Sequence, residues 1–444
     1  MRVIKIFLLF VCCISLDVQS QTFLSDTLGI NEDGSVIIAK SLALPGWILG
    51  VDVDSTDNLL FIRYRNLSKN ETSLKNKGGI SVYSLADQRM LWQRPVNYFN
   101  QDPKLTSEGV LFVTMGKATS LLDLKTGNEV WKKKKMIPYC VDAKNRMFLA
   151  YKGSYMNGVS NELEGHSLAT GEKMWSRKMS HVYGWNESGL LDDSTRLIVS
   201  DGIHLVHMGN GEGPSYAMPT GASDYKEAVA LGALGVVTGV LTGFAAVPTG
   251  PKKVMELVSN VLSDDTVFYV ASRENLFCLD RQLQPKWGYP IPDGMGSRSH
   301  LFARGDSLYM INMGTGYRNT IFDTSEAYAH EYLRLKVGWP FIACFDKRKG
   351  EKVWFRQLSD KKEMVEEFDI NWEEDALMVL FSDHIRKYSL SGDSLLSEVS
   401  WNTEVNGKLL YLTNSSYFLQ DIKELLSRLQ HRPDIEAAGL GQNS

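Results

Sequence analysis

Two short runs of polar residues have side chains from which metal sites are built. Residues 52–58 (Asp-Val-Asp-Ser-Thr-Asp-Asn) could offer oxygen ligands to Ca²⁺. They lack the glycine and the distal glutamate of an EF-hand loop, so a turn is the favoured interpretation. His204 and His207 are three residues apart on a predicted strand, and their side chains therefore point to opposite faces. Neither run is predicted to bind a metal.

Common catalytic and phosphate-binding motifs are absent from the sequence, and two further matches are explained by turns or strand edges. The sequence contains no Gly-x-Ser-x-Gly motif, no phosphate-binding loop and no His-Glu-x-x-His motif. Residues 304–306 match an adhesion tripeptide, but they coincide with a turn before a strand. The four lysines at residues 132–135 are interpreted as a solvated strand edge. We therefore predict no catalytic, cofactor-binding or metal-binding residues.

Composition excludes several classes of protein. The chain has 444 residues, of which 43% are apolar and 23% are charged, so it can bury a large core. Its formal net charge of −4 gives no electrostatic reason to expect nucleic acid as a partner.

The N-terminus has the pattern of a secretory signal. Arg2 and Lys5 precede a short apolar run, and small residues near position 20 suit a signal peptidase. We therefore expect export to the periplasm or the cell exterior after removal of residues 1–20. Cysteines at positions 140, 278 and 344 would remain, which is too sparse a set for a disulfide framework.

A ten-residue pattern with a glycine turn and a tryptophan recurs along the chain. It is clearest at residues 122–131, 166–175 and 345–354. A strand, a tight turn and a second strand fit this pattern, with the tryptophan turned inward. We expect the indoles to dock neighbouring repeats on one another and to do no chemistry. The tryptophans concerned are Trp92, Trp131, Trp175, Trp287 and Trp354.

A second pattern alternates with the first and consists of a polar turn followed by a large apolar strand. It occurs eight times, with strands that begin at Leu59, Val110, Met147, Leu197, Val267, Leu308, Leu377 and Leu409. Each unit is followed by a tryptophan-type hairpin except the last, for which residues 28–40 supply the missing copy. Pairing of the two chain ends removes exposed strand edges and closes a β-propeller. We therefore predict an all-β, eight-bladed propeller, or a seven-bladed one if the N-terminal copy is fortuitous.

The Asp-x-x-Thr-Gly-x-x-x-Trp frame at residues 123–131 resembles the tryptophan-docking repeats of the pyrroloquinoline-quinone-type (PQQ-like) β-propellers. Residues 167–175 and 346–354 carry variants of it. That family has a branch of quinoprotein alcohol and glucose dehydrogenases and a branch of cofactor-free binding propellers. The resemblance implies that an enzyme of the first branch would use a ring of adjacent cysteines, a catalytic acid and a calcium site. The mature chain has no adjacent cysteines, so the cofactor-free branch is favoured.

Two stretches exceed the repeat spacing and are predicted to be insertions, residues 217–251 and 314–337. Within the first, residues 228–247 are as apolar as a membrane span, but one crossing would put later blades on the wrong side of the bilayer. Two interpretations stay open: extended segments buried beside the fifth blade, or a surface that docks on a bilayer or a partner. In the second interpretation the contact residues are Leu231, Leu234, Val236, Val240, Leu241 and Phe244.

The expected organisation is a signal peptide (1–20), a propeller (21–420), a short amphipathic helix (421–432) and a tail (433–444). We predict a monomeric, exported, non-catalytic scaffold that binds a protein partner at the cell envelope. Residues 228–247 would add a peripheral membrane contact, and no cofactor or nucleic acid is expected. The alternative is a quinoprotein-like oxidoreductase that uses PQQ and calcium.

Overall fold

Every regular element in the described part of the chain is a β-strand. The structure, a computed structural model, describes residues 24–30, 36–41, 46–69, 73–115, 117–154, 158–224, 252–319, 332–392, 394–400, 408–412 and 417–421. These residues form 36 strands, all in antiparallel pairs. The all-β fold predicted from the sequence is confirmed. Apart from Asp421, the predicted C-terminal helix lies outside the described residues.

Contacts divide the chain into two compact units, the first of which comprises residues up to Lys178 together with Gly209–Gly211. It contains three four-stranded sheets with their strands in chain order, and one two-stranded sheet. Sheet 1 contains β3 (Trp47–Asp54), β4 (Leu59–Leu67), β5 (Leu74–Ser84) and β6 (Arg89–Asn97). Sheet 2 contains β7 (Gln101–Thr106), β8 (Gly109–Thr114), β9 (Ala118–Leu122) and β10 (Glu129–Lys134). Sheet 3 contains β11 (Met136–Asp142), β12 (Met147–Ser154), β13 (Gly158–Ser167) and β14 (Lys173–Lys178). The two-stranded sheet contains β1 (Leu24–Ile30) and β2 (Val36–Ser41).

The second unit comprises Met179–Met208 and the chain from Glu212 onward. Sheet 4 contains β15 (Glu187–Leu190), β16 (Thr195–Val199), β17 (Gly202–His207) and β18 (Ser215–Ala217). Sheet 5 contains β21 (Leu262–Ser263), β22 (Val267–Ala271), β23 (Asn275–Asp280) and β24 (Pro285–Pro290). Sheet 6 contains β25 (Ser299–Arg304), β26 (Ser307–Asn312), β29 (Phe341–Asp346) and β30 (Lys352–Gln357). Sheet 7 contains β31 (Glu367–Asn371), β32 (Ala376–Leu380), β33 (His384–Ser389) and β34 (Leu395–Ser400). A two-stranded sheet contains β35 (Lys408–Leu412) and β36 (Tyr417–Asp421).

A further four-stranded sheet breaks the chain order, and we call it the inserted sheet. It contains β19 (Ala222–Asp224), β20 (Lys252–Met255), β27 (Thr315–Asn319) and β28 (Tyr332–Lys336). Its two hairpins join where Val254 pairs with Arg318 and Met255 with Tyr317. Sheet 5 and half of sheet 6 lie between these hairpins in sequence. Both predicted insertions therefore contribute strands to one sheet.

Sheet 5 illustrates why the predicted apolar strands are continuous runs. All five residues of β22 are buried. Val267, Tyr269 and Ala271 belong to one apolar cluster with residues of sheet 6, whereas Phe268 and Val270 belong to another with residues of sheet 4. Alternate residues of a strand point to opposite faces, so a strand covered on both faces must be apolar throughout. The eight apolar strands predicted from the sequence correspond to β4, β8, β12, β16, β22, β26, β32 and β35.

The tryptophans lie in the fourth strand of their sheets and pack on a glycine turn. In sheet 2, Nε1 of Trp131 donates to the carbonyl oxygen of Leu168 at 2.8 Å. Gly171 faces this ring with a φ of 66°, and a Cβ at this position would lie 2.7 Å from the indole. Glycine fits because it tolerates this backbone conformation and has no side chain. The same contact joins Trp92 to Gly127, Trp175 to Gly211 and Trp287 to Gly350, while Trp354 packs in the apolar cluster of sheets 6 and 7.

The two ends of the described chain form separate hairpins, which differs from the predicted closure. β1 pairs with β2, and β35 pairs with β36. Among the pairings of the described residues, no ladder joins residues 28–40 to the strand at Leu409. Within each hairpin the two strands pair with each other along their facing edges.

Candidate functional site

A polar cavity of about 590 Å³ lies in the second unit, where the start of β15, β25 and β31 approaches the inserted sheet. These first strands carry polar side chains at this point, unlike the apolar second strands, and the result is a cavity instead of a core. Its lining consists of Asn186, Glu187, Glu256, Val258, Ser259, Asn260, Arg298, Ser299, His300, Met313, Thr315, Tyr317, Arg334, Glu366, Glu367 and Phe368.

Arg298 connects sheet 6 to the inserted sheet through an ion pair. Its Nη1 lies 2.9 Å from Oε2 of Glu256 and donates to the Tyr317 hydroxyl at 3.2 Å. The guanidinium carbon also lies 5.4 Å from the centre of the Tyr317 ring, within cation–π range. Burial raises the pKa of Glu256, and the charge of Arg298 partly offsets that rise.

Arg334 connects the inserted sheet to the segment that precedes β31. Its Nε donates to the Thr315 hydroxyl at 3.2 Å. Its two terminal nitrogens bind the Glu366 carboxylate and the Val365 carbonyl oxygen. Each of the three guanidinium nitrogens therefore makes a bond, and together they hold β28 against the segment that precedes sheet 7.

Glu187 and Asn186 are the polar groups of the cavity that the protein leaves incompletely satisfied. Oε2 of Glu187 accepts a hydrogen bond from the Val261 amide at 2.6 Å, but no lysine or arginine of the described residues pairs with this carboxylate. Burial raises the pKa of Glu187, and the bond from Val261 only partly opposes this. The amide nitrogen and oxygen of Asn186 are buried without a hydrogen-bond partner in the described part of the chain. Buried polar groups are normally paired, so both side chains are suited to a bound ligand.

The remaining polar groups of the cavity hold the structure together instead of forming a nucleophile and a base. The Ser259 hydroxyl donates to the Asn260 carbonyl oxygen at 2.7 Å, and the Asn260 side chain bonds both backbone groups of Leu301. Burial and the nearby Arg298 lower the pKa of His300, whose ring packs on Phe368. The arrangement suits binding by hydrogen bonds and charge.

The cavity does not fit PQQ, the cofactor of the quinoprotein branch. PQQ carries three carboxylates, whereas the cavity is lined by four glutamates and two arginines, each arginine already paired with a glutamate. The described cysteines, Cys140, Cys278 and Cys344, lie on separate strands, so no two of them are adjacent.

The polar residues 52–58 and the pair His204 and His207, which were considered as metal ligands from the sequence, do not form a site with the cavity residues. Oδ1 of Asp54 accepts hydrogen bonds from the amide of Thr56, as in an ordinary turn. Nδ1 of His204 lies 2.8 Å from the Ser215 hydroxyl, and His207 is exposed farther along β17. The predicted contact residues Leu231, Leu234, Val236, Val240, Leu241 and Phe244 lie outside the described residues.

The residues of the cavity were not anticipated from the sequence. Glu187, Glu256 and Arg334 lie far apart in the sequence and line one cavity, to which the pairing of β20 with β27 contributes. In the sequence, the cavity residues could have been recognised only from the polar residues at the beginning of the first strand of each sheet. Polar residues are common at strand ends, so this pattern does not identify a site.

Within the described parts of the chain, no helix is long and apolar enough to cross a membrane.

Comparisons with known proteins identify the repeat. Residues 72–284 match the family model described as outer membrane protein assembly factor BamB. Among solved structures, BamB from Moraxella catarrhalis is 13% identical, with 84% of this chain and 93% of that chain covered and a TM-score of 0.39. A quinohemoprotein alcohol dehydrogenase from Pseudomonas putida HK5 is 11% identical, with 85% and 71% covered and a TM-score of 0.36. No curated protein matches the sequence significantly. Residues 72–284 therefore carry repeats of the PQQ-like β-propeller family.

Proposed function

We propose that this protein is an exported, non-catalytic propeller that binds a protein partner at the cell envelope. The inserted sheet is the observation that carries the proposal. The repeat does not require this sheet, yet it is assembled from two hairpins whose connecting segments are residues 225–251 and 320–331. Both segments connect strands of this sheet, and residues of β27 and β28 line the polar cavity.

The chemistry of the cavity supports binding over catalysis. Its arginines are engaged in ion pairs, and its serine hydroxyls bond to neighbouring groups of the protein. The incompletely satisfied groups of Asn186 and Glu187 can bond a partner's side chain without a reaction. The matched family is described as an outer membrane assembly factor, which supports a role at the envelope.

Site-specific photo-crosslinking of the full chain in envelope extracts tests this contact. A photoreactive residue replaces Lys253, an exposed residue of the inserted sheet, and in a matched control it replaces Lys349, an exposed turn residue of sheet 6. We expect one discrete protein adduct from position 253 and none from position 349. Equal adducts from both positions, or none from either, would remove the inserted sheet from the proposal.

Membrane contact through residues 228–247 is a separate part of the proposal. Liposome flotation of the full chain and of a variant lacking residues 228–247 tests it, because an apolar segment that enters the bilayer interface should carry the protein upward. We expect flotation of the full chain only. Equal flotation, or none from either protein, would leave the scaffold without a membrane contact.

A further inference from the structure

Three ionisable side chains meet in sheet 7, away from the groups that line the polar cavity. Glu363 lies in the segment between β30 and β31, and Asp383 and His384 lie where β32 turns into β33. One ligand atom from each residue lies within 4.8 Å of the others.

His384 is buried with one ring nitrogen lacking a hydrogen bond. The residue is 8% exposed, and its ring stacks on Phe381 with centroids 4.5 Å apart. Nδ1 lies 2.7 Å from Oδ1 of Asp383. With the ring proton on Nδ1, the Asp383 carboxylate accepts this hydrogen bond and the lone pair of the imidazole is on Nε2. Nε2 has no hydrogen-bond partner among the described residues.

Glu363 faces this nitrogen across a gap. Its Oε1 lies 3.9 Å from Nε2 of His384, which is too far for a hydrogen bond. The Glu363 side chain is only 15% exposed, and no lysine or arginine of the described residues pairs with it. Two ligand atoms on one tetrahedral Zn²⁺ ion lie about 3.4 Å apart, given metal–ligand distances of about 2.0–2.1 Å. A movement of about 0.5 Å would therefore place both atoms in one coordination sphere.

We propose that Nε2 of His384 and the carboxylate of Glu363 bind a divalent first-row transition-metal ion such as Zn²⁺, with Asp383 orienting the imidazole. An imidazole ligand favours such a metal over Ca²⁺ or Mg²⁺, which prefer oxygen ligands alone. Hydrogen bonding of the other ring nitrogen to a carboxylate is the usual arrangement around a metal-bound histidine. Water would complete the coordination.

The bound ion would fix a wall of the cavity. The segment that carries Glu363 continues to Val365, whose amide donates to the Met313 carbonyl oxygen at 2.9 Å, and then to Glu366, which lines the cavity. An ion between Glu363 and His384 would tie this segment to β33. The site stands on its own residues and does not depend on the proposed function.

Titration calorimetry of the full chain with Zn²⁺ alone tests the site, with His384→Gln, Glu363→Gln and Asp383→Asn as variants. His207→Gln is the matched control, because His207 is an exposed histidine on another sheet. We expect His384→Gln and Glu363→Gln to weaken binding at least about tenfold, and Asp383→Asn to weaken it about 10- to 100-fold, as is usual for the carboxylate behind a ligating histidine. The control should bind as the unchanged protein does.

Thermal unfolding gives a second readout, because a ligand of the folded state raises the melting temperature by mass action. Zn²⁺ should raise it for the unchanged protein and for His207→Gln, and not for the ligand variants. If His384→Gln fails to fold, the Zn²⁺ affinities of Glu363→Gln and Asp383→Asn test the proposal. Absence of Zn²⁺ binding by the unchanged protein, or equal affinity in the ligand variants that fold, overturns the proposal.

Discussion

Glu187 is a carboxyl group that folding largely removes from water, and no lysine or arginine of the described residues pairs with it. Burial raises its pKa above the ordinary value of 4.5, so the folded protein holds the proton more tightly than the unfolded chain does. The stability that this group contributes is present below the unfolded pKa and is lost as pH rises through the folded one.

Replacement of Glu187 by Gln should therefore raise the melting temperature relative to the unchanged protein, and the gain should grow as pH rises from about 4 to about 8. The matched control is Glu162→Gln, because Glu162 is exposed on β13. Melting curves measured across this pH range check the prediction. Parallel stability profiles for the unchanged protein and Glu187→Gln would contradict it.

Two glycine variants can separate the effect of the indole contact on stability from the effect of the positive φ of the turn. Gly171 and Gly305 both have a positive φ, of 66° and 57°. A Cβ at Gly171 would lie 2.7 Å from Trp131, whereas a Cβ at Gly305 would meet nothing within 4 Å. The two alanine variants therefore share the conformational cost, and only one of them displaces the indole.

We expect Gly305→Ala to cost about 1 kcal/mol of unfolding free energy through its φ alone. Gly171→Ala should cost about 1–3 kcal/mol more, because overpacking forces the indole to move. Denaturant unfolding of both variants measures the difference. Equal losses would mean that the Trp131 ring adds nothing to the stability of the turn.

At the scale of elements, Arg334 ties β28 to the segment before β31, in addition to the ladder of β28 with β27. Because its guanidinium bonds Thr315, Val365 and Glu366, the Arg334→Gln variant should loosen the inserted sheet while sheets 4 and 5 stay intact. Loss of hydrogen bonds to a charged group costs about 1.5–3 kcal/mol, so amide exchange in β27 and β28 should accelerate at least about tenfold. Lys336→Gln, at an exposed position of the same strand, is the control. Hydrogen-exchange mass spectrometry would contradict this expectation if both variants exchanged alike.

The repeated elements were predictable from the sequence because each depends on neighbouring residues. A polar turn followed by an apolar run predicts a strand buried on both faces, and β22 and β32 are such strands. The inserted sheet was not predictable, because the pairing of Val254 with Arg318 joins segments separated by all of sheet 5. No local pattern specifies such a pairing. The same applies to Glu363 and His384, which approach through the packing of a loop on a strand.

At the scale of the whole molecule, the fold separates an apolar interior from a polar cavity. Apolar clusters join sheet 4 to sheet 5, sheet 5 to sheet 6 and sheet 6 to sheet 7. These clusters hold the sheets without help from the cavity, whose polar side chains are therefore not required to form the core. Changes to Asn186 or Glu187 should therefore have little effect on the stacking of sheets 4 to 7, whereas Arg298 and Arg334 also hold the inserted sheet.

The hypothesis of a non-catalytic scaffold can be tested directly against the alternative of a quinoprotein-like oxidoreductase. Purified full-length protein is incubated with PQQ and Ca²⁺, and the absorbance of bound quinone and dye-linked alcohol oxidation are measured. We expect neither, because a tricarboxylate would enter a cavity with four glutamates and only two arginines, both already paired. Transfer of an anion from water into this site costs free energy. Only an unpaired cation in the lining could offset that cost, and both lining arginines are already paired.

The Glu187→Gln variant extends this experiment, since it removes a lining carboxylate that pairs with no lysine or arginine of the described residues. If charge repulsion alone excluded the quinone, this variant should bind it measurably better than the unchanged protein does. Weak binding without alcohol oxidation in the variant would support the electrostatic argument and keep the protein non-catalytic. Bound quinone together with alcohol oxidation in the unchanged protein would instead establish the oxidoreductase and exclude the non-catalytic scaffold.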